Sequence, residues 1–325
     1  MRLPNRRPIT ILGMMRIGYY LFLALFIVSA AFGAKYAEEP FSLGVGGRAL
    51  GMGGATIAGP FDGTAAYWNP AGMNYLDGRY VAAMHGETFG SLLNHDFAAY
   101  VSSRPNVSAL LHSYGFYVYY LGGGGVNITD INAQGRPYVV SQESHGDVML
   151  AGSAGGRYRN IDIGVSARLI YRDIVAAKGY GISFDAGALY QPLPYARLGL
   201  AITDVTSGLI HYDNGTTESI YPTVKPGLLL WRKFSDFTGR LAVSGDLKFE
   251  GIRRGAQYWM GNISLDTHYG AEISYREMFF GRAGFDIGDL TAGVGMLINR
   301  VQFDFAWMHN DYLDETFRMS AGYRF

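Results

Sequence analysis

The feature that most constrains this chain is a strict two-residue alternation, repeated in short segments across residues 79–325. In the last segment Phe317, Met319, Ala321, Tyr323 and Phe325 share one face, and Arg318, Ser320, Gly322 and Arg324 the other. Before it, Val301, Phe303, Phe305 and Trp307 oppose Gln302 and Asp304. Further back, Ile161, Ile163, Val165, Ala167, Leu169 and Tyr171 oppose Asp162, Gly164, Ser166, Arg168 and Arg172. A period of two is that of a β-strand whose two faces meet different surroundings. In a soluble sandwich the apolar faces meet one another and the polar faces meet water. Here the polar faces combine glycines with charges of both signs, and several segments reach the ~9–11 residues of a tilted strand crossing a bilayer. The expected fold is all-β: a transmembrane antiparallel barrel with lipid outside and a polar lumen.

Strand-like segments fall near 79–86, 94–103, 107–120, 146–158, 160–173, 178–191, 195–204, 223–234, 238–250, 258–265, 267–276, 278–288, 290–299 and, as two strands, 301–325. That is about 14 or 15, and bacterial barrels are even-numbered. Fourteen is favoured, with 258–265 merged or demoted. The longest polar insertions, 121–145, 205–221 and 250–258, read as outward loops. The alternation puts Asp162, Arg168, Arg172, Asp185, Asp246, Glu272, Arg276, Arg282, Asp286, Asp304, Arg318 and Arg324 in the lumen. Their plainer role is a network of charge pairs holding barrel and contents together. The more specific role is that a few line a solute path.

Composition agrees. Hydrophobic residues make up 49% of the chain, yet mean hydropathy is only +0.05, so apolar residues are interleaved rather than blocked. Gly 45, Tyr 24 and Phe 19 suit a membrane barrel, where glycines ease the pleat and aromatics girdle the interfaces. With no cysteine there is no disulfide framework, thiolate metal site, cysteine nucleophile or lipoprotein anchor. Lys+Arg and Asp+Glu are both 27, so no net field points to nucleic acid.

At the N-terminus Arg2, Arg6, Arg7 and Arg16 precede an apolar run over 17–32 that small residues close. This is the pattern of a secretory signal, expected to occupy 1–34, with the mature chain starting between Phe32 and Glu38. Met14 and Met15 are alternative starts. A membrane anchor needs ~20 apolar residues, and no later run approaches ~18, so any span is built from strands.

Residues 35–78 have a different texture, rich in Gly and Ala and without alternation. Gly44, Gly46, Gly47, Gly51, Gly53 and Gly54 surround Arg48, and Asn69-Pro70-Ala71-Gly72 follows. Closely spaced glycines permit positive φ and close backbone approach, as a chain packed inside a barrel requires. Pro70 biases Asn69 toward an extended conformation, so the box reads as a turn. A single helical turn is possible over 62–68.

The stretch 44–54 together with Thr64-Ala65-Ala66-Tyr67-Trp68-Asn69-Pro70-Ala71-Gly72-Met73 and the terminal Tyr323-Arg324-Phe325 resembles PorV/PorQ-type outer-membrane proteins, relatives of the FadL long-chain fatty-acid transporter superfamily. The resemblance implies a 14-stranded barrel occluded by an N-terminal hatch, here residues 35–78, inside a barrel of 79–325. It places Asn69, Pro70 and Ala71 in the hatch beside a substrate path. It also implies that the barrel-assembly machinery reads the terminal aromatic strand, at Phe317, Tyr323 and Phe325. Two functions follow from it: passage of hydrophobic small molecules through a plugged barrel, or, alternatively, docking of cargo in type IX protein secretion. Partners are then outer-membrane lipid, the assembly machinery, and apolar solutes or secretion proteins.

Enzyme classes find little support. There is no Gly-x-Ser-x-Gly and no catalytic cluster. Gly44-Val45-Gly46-Gly47-Arg48-Ala49 lacks the strand and helix a dinucleotide site needs, and no Gly-Lys-Ser/Thr forms a phosphate loop. The seven histidines are scattered without metal-ligand spacing, so no metal or cofactor is expected.

Overall fold

The computed structural model describes residues 39–88, 93–104, 111–252, 255–310 and 315–325. The expected signal segment, 1–34, and its cleavage zone lie outside these residues. Seventeen strands form one sheet: β1 (Gly78–Thr88), β2 (Leu93–Ser103), β3 (Ser113–Ile131), β4 (Pro137–Tyr158), β5 (Ile161–Asp173), β6 (Lys178–Leu193), β7 (Ala196–Thr203), β8 (Gly208–Tyr212), β9 (Thr217–Ile220), β10 (Thr223–Phe234), β11 (Phe237–Lys248), β12 (Tyr258–Met260), β13 (Ile263–Tyr275), β14 (Phe279–Asp286), β15 (Asp289–Ile298), β16 (Val301–Met308) and β17 (Thr316–Arg324). β1 pairs antiparallel with both β2 and β17, which closes the ring. β7 pairs with β10, and β11 with β13. The β8–β9 hairpin and β12 are therefore side additions to a barrel of 14 antiparallel strands. Segment 258–265 is divided accordingly: its first residues form β12, and its last join the following segment as β13.

Five connections on the rim that holds the start of β1 and the end of β17 are tight. Four of them carry left-handed residues that match the strand twist: Arg159, Ser235, Arg276 with Glu277, and Asn299, at φ between 52° and 58°. The longest connections, between β3 and β4, β7 and β10, and β11 and β13, lie on the opposite rim. One differs from the sequence expectation. Residues 121–145 are not a loop: β3 and β4 run on through them as a two-stranded ribbon, with register shifts between Gly123 and Val126 and between Ile128 and Thr129. The glycines at 122–125 resemble turn residues, but β-branched Val126, Ile128, Ile131, Val139 and Val140 sustain pairing beyond them. Likewise 205–221 contains the β8–β9 hairpin.

Burial alternates as the sequence does. Along β5, Asp162, Gly164, Ser166, Arg168 and Ile170 are buried, while Ile161, Ile163, Val165, Ala167 and Leu169 are exposed. The outward faces carry the large apolar residues, Leu169 at 57% and Val294 at 60% exposure among them, as a lipid-facing surface requires. Among the described residues no helix is long and apolar enough to cross a membrane. About 8 strands already let side chains fill a barrel, so a ring of this size leaves room. Residues 39–76 occupy that room. Phe41, Val45, Leu50 and Met73 of this plug are at most 2% exposed and pack with Met84, Phe97, Tyr117, Tyr119 and Met149 of the wall.

The plug docks backbone against backbone where the wall presents inward glycines. A Cβ on Gly284 of β14 would lie 2.6 Å from the Gly53 nitrogen. One on Gly164 of β5 would lie 2.4 Å from the Ala71 nitrogen. Gly187, Gly199, Gly227, Gly270 and Gly293 face plug atoms in the same way. From the plug side, Gly47 abuts the Asp304 backbone, Gly51 abuts Gly293, and Gly53 abuts the Phe285 and Tyr269 carbonyls.

Candidate functional site

The Asn69 box is built as its composition suggests. Asn69 is extended, at φ −157° and ψ 109°, and Pro70 opens a 3-10 turn over Pro70–Tyr75. The Asn69 side chain is fully buried. Its Oδ1 accepts from the Ala71 N–H at 3.1 Å, and its Nδ2 donates to the Ile57 carbonyl at 2.9 Å and to the Leu200 carbonyl of β7 at 3.4 Å. One carboxamide thus caps the turn, ties two arms of the plug and reaches the wall. Asn74 repeats the device on β4 and β5, donating to the Gly156 and Ile163 carbonyls. Gly72 carries no side chain where Phe61 packs across it.

Upstream, residues 41–48 form a strap across the lumen. Tyr67, in the helical turn Ala65–Trp68, donates to the Phe41 carbonyl at 2.7 Å and accepts from the Gly44 N–H at 3.2 Å. Trp68 Nε1 donates to the Val45 carbonyl at 2.9 Å. The Gly46 N–H meets the Met84 sulfur of β1 at 3.0 Å, and the Gly47 N–H donates to Ser320 Oγ of β17 at 3.0 Å. Gly44 and Gly46 have φ of +74° and +87°, a conformation L side chains rarely adopt. A Cβ at Gly46 would also strike Thr64. Gly53 and Gly54, likewise at positive φ, turn the chain after the helical turn Gly47–Leu50.

Arg48 fastens this strap. It makes a bidentate pair with Glu272 of β13, at 3.0 and 2.8 Å. Glu272 also accepts from Arg282 at 2.7 Å and Arg240 at 2.9 Å, and Arg282 reaches Asp304 at 2.7 Å. Burial alone would lower the Arg48 pKa, but the contact with Glu272 outweighs it and the pKa rises above the ordinary arginine value. Elsewhere Arg168 lies between Asp185 and Asp204, both within 2.8 Å, and Arg172 pairs with Asp147 at 2.7 Å. Lys225 pairs with Asp246 at 2.6 Å, and His268 sits between Asp246, Asp286 and the plug carbonyl of Gly53. Asp162, 1% exposed, pairs with Arg157.

Two of the expected lumen charges are not there. Arg276 is in the left-handed turn after β13 and pairs with exposed Asp236. Arg324 has the inward phase but ends β17 at the rim, half-exposed and paired with Asp77. Alternation gives the phase of a strand, not the point where it leaves the barrel. Arg318 does point inward: it is 2% exposed against Gly86, with a long 3.4 Å bond to the Glu87 carbonyl. Sequence reasoning missed Asp147, Asp204, Lys225, Arg240 and Asp266. Asp147, Lys225 and Arg240 share their strands' inward phase, while Asp204 follows β7. Of the terminal aromatics, Phe317 stacks on Phe305, and Tyr323 meets Phe325 edge-on at 4.9 Å, all on the outward face.

The plug leaves two spaces in the lumen. Toward the long-loop rim a cavity of ≈ 50 Å³ lies between Phe41, Leu43, Gly44 and Trp68 of the plug and Arg168, Lys225, Asp246 and His268 of the wall. Toward the rim of tight turns a cavity of ≈ 210 Å³ lies between plug residues 61–64 and the inner faces of β1, β16 and β17.

No family model matches the chain, and no curated protein matches it in sequence. Solved structures share the fold. The monoaromatic hydrocarbon channel CymD aligns with a TM-score of 0.58 at 11% identity, over 87% of this chain and 98% of that one. The toluene transporter TodX of Pseudomonas putida aligns with a TM-score of 0.53 at 11% identity, over 86% of this chain and 97% of that one. By its fold the chain is a plugged 14-stranded antiparallel barrel, similar to that of FadL-type outer-membrane channels. At these identities the likeness is one of fold, and it carries nothing on the PorV/PorQ subgroup.

Proposed function

We propose that this protein is a channel of the outer membrane that lets hydrophobic small molecules cross a plugged barrel, in the manner of the FadL group, and that it is not an enzyme. The observation that carries the proposal is a closed barrel whose plug leaves two cavities, one beside the strap toward the long-loop rim and one beside residues 61–64 toward the other. A lumen filled only for stability has no need of a space left toward each rim. The neighbours CymD and TodX, named as a hydrocarbon channel and a toluene transporter, support the same solute class. The cargo-docking alternative has no observation in its favour. Uptake of toluene and of a fluorescent fatty acid by cells with and without the protein tests the proposal. Faster uptake of either with the protein supports it; equal rates for both remove it.

A further inference from the structure

On the outward wall, strands β10, β11, β13 and β14 form an open groove of ≈ 1060 Å³, far larger than either space in the lumen. We propose that this groove binds one glycerophospholipid of the periplasmic leaflet, with its acyl chains in the groove and its phosphate on Arg232. The inference concerns the face turned away from the lumen and holds whichever solute the lumen passes.

The groove follows from which residues face lipid. Gly239 of β11 and Gly281 of β14 flank Ile273 of β13 in the pairing. A Cβ on Gly239 would meet nothing within 4 Å, and one on Gly281 only Ile273 Cγ2 at 3.7 Å. These glycines therefore leave space on the wall, unlike the inward ones that receive the plug. In the next layer Ala271 pairs with Ala283, so the floor stays low there too. The groove thus straddles one side chain, Ile273, as two acyl chains on one glycerol would. Its volume is at the upper limit of the ~300–1,000 Å³ of small-ligand sites, which suits chains rather than a ring.

Height identifies the leaflet and charge identifies the head. Phe234, Phe237, Tyr275 and Phe279 are joined by strand pairing into one outward row beside the tight turns. Such a row is the aromatic girdle of a membrane interface, and the tight turns mark the periplasmic side. Arg232 lies on the same outward face, one layer inside the row, with its guanidinium 5.0 Å from the Phe234 ring centroid. A cation on the lipid side is costly unless its head reaches a polar partner at the interface. Among the described residues no carboxylate serves: Asp236 pairs with Arg276, and Glu277 with Arg240. A phosphate supplies the missing charge and matches the guanidinium bidentately. Tyr195, exposed on the turn between β6 and β7, lines the groove and adds a hydroxyl. A second copy docked here about a two-fold axis would set Arg232 against another Arg232, so the charge favours lipid.

The delipidated barrel in mild detergent is titrated with dioleoylphosphatidylethanolamine or with dioleoylglycerol, which has the chains without the phosphate, and bound lipid is counted by native mass spectrometry. Expected is one phosphatidylethanolamine per wild-type barrel, held several-fold more tightly than dioleoylglycerol. Arg232→Gln should abolish that preference, and Gly281→Leu, which fills the groove, should abolish binding. Gly152→Leu makes the same change on the outward face of β4, away from the groove, and should bind as wild type does. Equal binding of the two lipids by wild type overturns the role of the phosphate. Absence of a bound phospholipid, or unchanged binding in Gly281→Leu, overturns the site. A wild-type dimer that binds neither lipid and that Gly281→Leu converts to a monomer makes a second copy the occupant and overturns the proposal. Should Gly281→Leu not yield a heat-modifiable barrel, Gly239→Leu fills the groove from β11, and unchanged binding there overturns the site equally.

Discussion

At the scale of single residues, two side chains govern the plug. Asn69→Ala removes an acceptor for the Ala71 N–H and a donor for the Ile57 carbonyl, all deeply buried. Leaving buried partners unmet costs about 1–3 kcal/mol. The midpoint of heat-modifiability on gels should fall, single-channel leak should rise modestly, and uptake of an apolar probe should drop. Glu272 is the other. It holds Arg48, Arg240 and Arg282 together with no exposed side-chain surface of its own. Breaking a buried charge cluster by removing one partner costs roughly 3–5 kcal/mol. Glu272→Gln should therefore destabilise more than Arg48→Ala, which leaves Glu272 two cationic partners; urea unfolding followed by tryptophan fluorescence checks the order. An inverted order would mean that Arg48 anchors the plug through something other than this cluster. Asn69 was legible in the sequence because a proline beside it fixes its backbone. The cluster around Glu272 was legible only in part, since alternation places Glu272 and Arg282 inward but says nothing of which plug residue they meet.

At the scale of elements, the docking of plug on wall depends on which face of a strand a glycine occupies. Gly281 and Gly284 are three residues apart on β14, so they face opposite ways. Gly284 touches the plug backbone, whereas a Cβ on Gly281 would have only Ile273 Cγ2 nearby, at 3.7 Å. Gly284→Val should keep the plug from seating and raise conductance in planar bilayers; Gly281→Val should leave both plug and conductance unchanged. Equal behaviour of the two would show that the plug is not held by backbone contact. Alternation fixed the phase of most strands from sequence alone, because lipid and lumen impose opposite demands on successive residues. It failed at strand ends, where Arg276 and Arg324 continue a phase that no longer has a lumen to face. It also failed in the β3–β4 ribbon, which projects past the barrel and has solvent on both faces, so that pairing there leaves no two-sided pattern to read.

At the scale of the whole molecule, barrel and plug are one object. Deleting residues 39–76 removes the strap, the plug aromatics Phe41, Tyr67 and Trp68, and the plug atoms that face Gly164, Gly187, Gly199, Gly227, Gly270 and Gly284. The emptied ring should conduct ions far better than wild type in single-channel recordings, because a barrel of this many strands exceeds what its own side chains fill. Conductance no higher than wild type would mean that the segment does not occlude the lumen.

The strap has one further consequence. It bonds to both sides of the seam that closes the ring: Gly46 to Met84 on the first strand, 38 residues away, and Gly47 to Ser320 on the last, 273 residues away. The filling is therefore made before any of the wall, while part of the wall that clasps it comes 273 residues later. A chain halted before β17 lacks the Ser320 contact and the closed ring around residues 39–76, which stay open to any protease they meet. Completion of the last strand is thus the moment at which the interior becomes safe, and the order of the letters doubles as an order of events.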